Sequence, residues 1–271
     1  MVTRAHARET SSARVEAPAA LPPHERLILW GGISAVTVAA WLVLARMPMP
    51  ASDMNGGAMG GMTSAMHAAV WSLRDGWLIF AMWTVMMAAM MLPSASPMIA
   101  MYARIARGRS AERSARAWLF AAGYLIAWTG FSAAATVVQF ALERTGIIAD
   151  AMRVEPFTGG LLLIAAGVYQ LTPLKQVCLT QCRSPLGFFM TAWRRGARGA
   201  FAMGLNHGAF CVGCCWMLMA LLFVAGVMNL VWAALLTILV LLEKATPWGG
   251  TVARASGAMM VASGIALAAF G

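Results

Sequence analysis

The chain has 271 residues, of which 61% are hydrophobic and 11% are charged, and its mean hydropathy is +0.72. Soluble domains have about half apolar and about a quarter charged residues, so this chain has too little polar surface to cover itself in water. Its net charge of +10 does not indicate nucleic-acid binding, because the basic residues lie in short segments between apolar runs. Composition therefore predicts an all-α, polytopic transmembrane helix bundle.

The first part of the chain is polar and contains Pro22-Pro23 near its end. It has no short apolar core followed by a small-residue cleavage site, so it does not have the pattern of a signal peptide. We expect residues 1–26 to form a disordered cytoplasmic tail. We expect residues 27–271 to form the transmembrane domain, with a Met- and Gly-rich outer loop at 46–75.

A spanning helix needs about 20 apolar residues, and six to seven segments come near this length. Residues 200–242 would extend about 65 Å as a single helix, so we expect a turn at Gly226–Asn229. We also expect Pro93 and Pro97 to break the second helix. The expected spans are Leu27–Ala45, Gly76–Tyr102, Ala117–Leu142, Phe157–Leu171, 200–224, 230–243 and 255–270.

The distribution of Lys and Arg predicts the orientation of the bundle. With the N-terminus in the cytoplasm, only four of the 20 basic residues fall in outer segments, and these are Arg46, Arg74, Arg144 and Arg153. Cytoplasmic loops carry an excess of Lys and Arg. The sequence therefore predicts a multi-pass protein of a bacterial inner membrane, with membrane lipids around it.

The fifth expected helix carries a His and three Cys within nine residues. His207, Cys211 and Cys214 are spaced i, i+4 and i+7, so they share one helix face, and Cys215 lies beside them. Imidazole and thiolate ligands together suit Cu(I) or Zn(II). The alternative is that these cysteines are small apolar residues on a Gly-rich packing face.

A second pair of thiols follows the fourth expected helix on the cytoplasmic side. Cys178 and Cys182 could form a two-thiolate clamp if the segment is helical, a redox pair, or two thiols without a function. We expect the nearby cations Lys175 and Arg183 to stabilise the thiolates of this pair.

Methionine is abundant, with 22 residues in the chain. Thioethers are soft, neutral ligands that select Cu(I), which makes the outer loop a candidate for metal capture. In the second helix the alternative is packing, because Met adapts to irregular cores. The candidate relay residues are Met47, Met49, Met54, Met59, Met62, Met66 and His67 in the loop, and Met86, Met90 and Met91 in the helix.

Two further features are explained without a metal. The prolines either expose carbonyl groups toward a cavity or form a packed kink supported by Ser94 and Ser96. Glu243-Lys244 is expected to be a local ion pair, or a lysine that extends to the membrane surface.

Together these motifs resemble the predicted metal-binding integral membrane proteins of bacteria, the family called domain of unknown function 2182. The similarity covers about residues 77–245. It implies a bound metal and no established activity. The residues that carry it are Met90-Met91-Leu92-Pro93-Ser94-Ala95, Gly123-Tyr124, Trp128, Tyr169-Gln170-Leu171-Thr172-Pro173-Leu174-Lys175, Cys178, Cys182-Arg183-Ser184-Pro185, Gly213-Cys214-Cys215-Trp216-Met217-Leu218-Met219 and Glu243-Lys244.

The leading hypothesis is a membrane protein that binds Cu(I), with zinc as the other ion considered, for transport or delivery across the inner membrane. Its partners would be a metal-donor or metal-acceptor protein, and no nucleic acid. The sequence shows no P-loop, so ATP-driven pumping by this chain is not predicted. The alternatives are a membrane thiol-disulfide oxidoreductase and a non-catalytic subunit of a membrane complex.

Overall fold

The computed structural model describes residues 22–47, 72–106, 108–144, 148–149, 153–154, 156–227 and 229–270. Residues 1–21 of the expected tail and most of the Met-rich loop, including Met49, Met54, Met59, Met62, Met66 and His67, lie outside the described residues. Residues 23–26, which were expected to belong to the tail, are helical. Within them the chain is an α-helical bundle, as predicted. The helices are α1 (Pro23–Arg46), α2 (Leu73–Ile105), α3 (Ser110–Arg144), α4 (Pro156–Leu171), α5 (Pro173–Arg183), α6 (Pro185–Ala192), α7 (Gly196–Ala220), α8 (Leu222–Ala225), α9 (Leu230–Ala245) and α10 (Gly249–Phe270).

Two very short strands join α3 to α4. Strand β1 (Ile148–Ala149) pairs with β2 (Arg153–Val154) in an antiparallel arrangement. With two residues each, they do not alter the all-α class of the fold.

Helix α2 continues through both of its prolines, so the expected break is wrong. Pro97 has no N–H to bond the carbonyl of Pro93, and the Ser96 hydroxyl donates to that carbonyl at 2.7 Å instead. The Ser94 hydroxyl donates to the carbonyl of Met91 at 2.8 Å. These hydroxyl groups supply hydrogen bonds where the prolines disturb the backbone ladder, which allows the helix to continue.

The segment after the fourth expected span is also helical. Helices α4 and α5 meet at Thr172, whose hydroxyl accepts a hydrogen bond from the backbone N–H of Lys175 at 3.4 Å and so caps α5. The bend between the two helices is 63°. Together they form a broken span or a re-entrant loop, which places both Cys178 and Cys182 on an ordered helix.

Among the residues that the structure describes, five helices are long and apolar enough to cross a membrane, and the bent pair α4–α5 makes six if it counts as one span. The long apolar run does fold back as expected, because α8 ends at Ala225 and Gly226 follows with a φ of 91°. Helix α9 covers the expected sixth span, 230–243, but with 16 residues it is only about 24 Å long, shorter than a hydrocarbon core of about 30 Å. The last helix, expected to be marginal, has 22 residues.

Glycines allow the helices that carry the thiols to approach their neighbours closely. A Cβ atom at Gly204 of α7 would lie 2.0 Å from the carbonyl oxygen of Phe120 in α3, and a Cβ at Gly123 would lie 2.2 Å from the carbonyl oxygen of Phe201. Small residues permit such contacts between membrane helices. This close packing of α3 on α7 brings Tyr124 to the cysteines of α7.

The glycines of the last helix have a similar role. A Cβ at Gly264 of α10 would lie 2.7 Å from the carbonyl oxygen of Gly160 in α4, and one at Gly257 would lie 3.0 Å from that of Gly167. Helix α10 is therefore fixed against α4, the first half of the bent pair.

Candidate metal centre

Three thiols of α7 form a buried cluster. Cys211, Cys214 and Cys215 are each exposed by 1% or less, and their sulfur atoms lie within 4.8 Å of one another. The helical spacing explains this, because residues three and four positions apart lie on one face. The thiols of Cys214 and Cys215 both donate to the carbonyl oxygen of Cys211, at 3.1 Å and 2.9 Å, which turns the sulfur atoms toward one another.

Helix α5 adds a fourth thiol to the cluster. The sulfur of Cys182 lies 3.9 Å from that of Cys214. The sulfur of Cys178 lies against Gly213 of α7, where a Cβ atom would be only 3.0 Å from it. Both α5 cysteines are half-buried, whereas the α7 cysteines are fully buried. The two Cys motifs of the sequence are therefore parts of one arrangement.

The sulfur of Cys211 has two further polar neighbours. The ammonium group of Lys244, at the end of α9, donates to it at 2.9 Å. The hydroxyl oxygen of Tyr124 lies 3.0 Å from the same sulfur and donates to the Met91 carbonyl at 3.1 Å. Lys244 also donates to the hydroxyl oxygen of Ser94 at 3.2 Å. Helices α2, α3, α7 and α9 thus meet at one thiol.

His207 lies one helical turn before Cys211 and is 3% exposed, but its ring nitrogens do not lie within 4.8 Å of all three α7 sulfur atoms. The ring stacks on Tyr124 and Phe120, with centroid distances of 5.6 Å and 6.0 Å, and meets the edge of Phe188 at 5.5 Å. Its Nδ1 atom has no hydrogen-bond partner among the described residues. A buried polar atom without a partner is costly, so this nitrogen has an unused capacity to bind.

The methionines of α2 lie in the protein interior. Met86, Met90 and Met91 are each exposed by 2% or less, and Met47, at the end of α1, is half-buried. Close packing of the core accounts for this burial by itself. The role of these thioethers as a metal relay stays a prediction.

Glu243 and Lys244 contact different polar groups. Both expectations for this pair, a local ion pair and a lysine that extends to the membrane surface, are therefore wrong. Glu243 forms an ion pair with Lys175 at 2.7 Å, and the two side chains are 2% and 0% exposed. Gln170 also donates to Glu243, at 2.8 Å. A charge buried in a membrane helix needs such partners, and tertiary contacts supply them here.

This network also corrects the expectation that Lys175 and Arg183 stabilise the α5 thiolates. Lys175 is directed to Glu243, and the guanidinium of Arg183 donates to the backbone carbonyls of Thr246 and Pro247 at 2.7 Å and 2.8 Å. The cation that does contact the thiol cluster is Lys244.

The comparison with known protein families supports a function that involves a metal. A family model described as PpoB2, copper chaperone, matches residues 80–267, more than half of the chain. The chain belongs to this copper chaperone family. No curated protein and no solved structure matches it. The matched region runs from α2 to α10 and contains all five cysteines of the chain.

Because the chain belongs to this family, its function is related to copper. The buried α7 thiols agree with it, because thiolates are soft ligands that suit Cu(I). A copper chaperone exchanges its ion with other proteins, so a donor or acceptor partner is also expected. The family description supports copper and gives no support to zinc.

Sequence reasoning missed Lys244, Tyr124 and Ser94 as neighbours of the thiol cluster. Each lies on a different helix from Cys211, and no local spacing connects it to the Cys motif. One signal was present in the sequence. Lys244 ends an apolar helix, and an ionisable residue in such a position is a candidate for a functional site.

Proposed function

We propose that this copper chaperone is a multi-pass protein of a bacterial inner membrane that binds Cu(I) through thiols and transfers it across that membrane or to a partner protein. The supporting observation is the approach of the Cys211, Cys214 and Cys215 sulfur atoms to within 4.8 Å of one another. Cys182 extends the set from a second helix. Soft thiolate ligands in an apolar, buried site favour Cu(I) over harder ions.

The difference in burial between the two groups of thiols supports different roles for them in the exchange. The α7 thiols are buried, and the α5 thiols, Cys178 and Cys182, are half-buried. In this proposal the α7 cluster holds the ion, and the α5 pair exchanges it with thiols of a cytoplasmic partner. Ligand exchange between neighbouring thiolates needs no free ion at any step.

The outer part of the path rests on the thioethers. The Met-rich loop, of whose methionines only Met47 lies in the described residues, would capture the ion. Met86, Met90 and Met91 of α2 would then pass it inward, and His207 would add a nitrogen donor next to the thiols. Neutral thioethers bind more weakly than charged thiolates, so affinity would rise along this path.

One observation favours a second candidate function, a membrane thiol-disulfide oxidoreductase. The sulfur atoms of Cys182 and Cys214 are 3.9 Å apart, and a disulfide requires about 2.05 Å, so a small movement would join them. This pair joins the two Cys motifs, whereas the pairs that the sequence suggested each lie within one motif. The oxidoreductase function requires thiol-dependent reduction of a quinone, which the copper function does not.

The proposed function is tested with full-length protein in vesicles that contain a Cu(I)-binding dye. Cu(I) is added outside under reducing conditions, and the dye reports its arrival inside. We expect the wild-type protein to bind copper whether or not it transports the ion, and the dye to respond only if it transports it. Vesicles with the Cys211→Ser/Cys214→Ser variant are the control. Equal copper binding by this variant would overturn the proposal, and quinone reduction without copper binding would favour the oxidoreductase.

A further inference from the structure

Lys244 is a cation whose charge is not matched by a carboxylate. In the part of the chain that the structure describes, the ion pairs join His24 or Arg113 to Glu25, Arg116 to Glu112, and Lys175 to Glu243. The ammonium group of Lys244 instead has two polar neighbours, the sulfur of Cys211 at 2.9 Å and the hydroxyl oxygen of Ser94 at 3.2 Å. Only the thiol can carry a negative charge.

The carboxylate next to Lys244 in the sequence, that of Glu243, is paired with another cation. Glu243 precedes Lys244 in the chain, but it binds Lys175 at 2.7 Å and accepts a hydrogen bond from Gln170 at 2.8 Å. Successive residues of a helix point in directions about 100° apart, so the two side chains of α9 reach different networks. Lys244 is therefore directed at the thiol cluster.

A copper-loaded thiolate site needs a positive charge in its surroundings. Cu(I) carries one positive charge, so the ion held by two thiolates has one net negative charge, and by three thiolates two. An uncompensated charge inside an apolar bundle is unfavourable. A single ammonium group in contact with a ligand sulfur would neutralise the two-thiolate form completely.

We propose that Lys244 is the counter-cation of the Cu(I) site, a positioning residue that compensates the negative charge of the metal-thiolate centre. This inference rests on the proposed function and adds a residue that no thiol motif contains. When the site is empty, Lys244 holds the Cys211 sulfur directed at the cluster. When Cu(I) is bound, the lysine would stabilise the complex by its charge and would not be one of the metal ligands.

The groups around Lys244 fit this role. The Ser94 hydroxyl donates its hydrogen to the Met91 carbonyl at 2.8 Å, so its oxygen is left to accept from Lys244. Tyr124 lies on the other side of the Met91 carbonyl and also contacts Cys211. The lysine is thereby held beside the sulfur.

The test measures Cu(I) affinity of purified full-length protein in detergent, by competition with a Cu(I) chelator under reducing conditions. We expect Lys244→Met to weaken binding by roughly 30-fold or more, the effect of removing one partner of a buried charge pair. Lys244→Arg, which keeps the charge, should stay within about tenfold of the wild type by the same reasoning. Lys244→Gln is measured alongside in case the Met variant does not fold.

Two controls separate charge from structure. Ser94→Ala removes a contact that holds the lysine but leaves the positive charge in the site, so it should weaken binding less than Lys244→Met does. Arg254→Met removes an exposed positive charge from α10 and tests the effect of overall charge. We expect both controls to bind Cu(I) much more tightly than Lys244→Met.

The outcomes distinguish this inference from the function on which it rests. If binding requires Cys211 and Cys214 but folded Lys244→Met and Lys244→Gln proteins bind as tightly as the wild type, the counter-cation role is wrong and the copper site remains. The same follows if Ser94→Ala equals Lys244→Met, or if Lys244→Arg is as weak as Lys244→Met. If the protein binds no Cu(I) through its thiols, both proposals fail together.

Discussion

Cys182 and Cys214 lie 32 positions apart in the chain, on α5 and α7, and their sulfur atoms are 3.9 Å apart. The contact depends on the 63° bend between α4 and α5, which turns the second helix of the pair toward α7. It unites two Cys motifs that the sequence presents as separate. The relationship can be checked chemically without any metal.

Mild oxidation of metal-free protein with diamide should form a Cys182–Cys214 disulfide. The sulfur atoms need to move only about 2 Å closer to reach the length of a disulfide bond. Mass spectrometry of the unreduced digest identifies the linked peptides, and prior loading with Cu(I) should prevent the link. A product dominated by a Cys178–Cys182 disulfide would show that α5 does not face α7 in this way.

His207→Phe should lower Cu(I) affinity by at least about tenfold, the lower end of what losing a group in a metal site costs. Phenylalanine keeps the stacking on Tyr124 and Phe120 but has no Nδ1 atom, which is the buried nitrogen without a partner. Chelator competition measures the affinity. Unchanged affinity in a folded variant would make His207 a packing residue of the aromatic cluster.

Glu243→Gln should lower thermal stability, because it leaves the fully buried Lys175 without a compensating charge. Breaking a buried ion pair on one side costs about 3–5 kcal/mol. The melting temperature in detergent measures this loss, and the double variant Lys175→Met/Glu243→Gln should recover part of it. If the double variant is less stable than Glu243→Gln alone, the unpaired lysine is not the cause.

The helical content and the thiol cluster of α7 could be predicted from the sequence, because both depend on local periodicity. Apolar runs define the helices, and the spacing of Cys211 and Cys214 places them on one face whatever surrounds them. The fold-back at Gly226 was equally local, since glycine readily adopts the positive φ found there.

The surroundings of the cluster could not be predicted, because they depend on how distant helices pack. Glu243 and Lys244 look like a local pair in the sequence, but each has a partner on another helix. The prolines of α2 look like a break, and the hydroxyl of Ser96 compensates for the missing N–H of Pro97. For Glu243 and Lys244, side chains on other helices decided the outcome, whereas for Pro97 the hydroxyl of the neighbouring Ser96 did.

Removal of residues 54–66 should leave the protein folded, and should reduce copper-dependent function only when copper is scarce. A Gly-rich connection tolerates deletion, and a capturing loop raises the local ion concentration without forming the obligatory site. Growth or copper-enzyme activity across a series of copper concentrations measures this. Loss of function at every concentration would give the loop another role, and no effect at any concentration would make its methionines incidental.

The most direct test of the copper account is the amount of Cu(I) that purified full-length protein retains against a competing chelator, compared with its Cys211→Ser/Cys214→Ser variant. The account predicts stoichiometric Cu(I) in the wild type and its loss in the folded variant, because the variant removes two sulfur atoms of the buried cluster. Equal retention of Cu(I) by both proteins would contradict it.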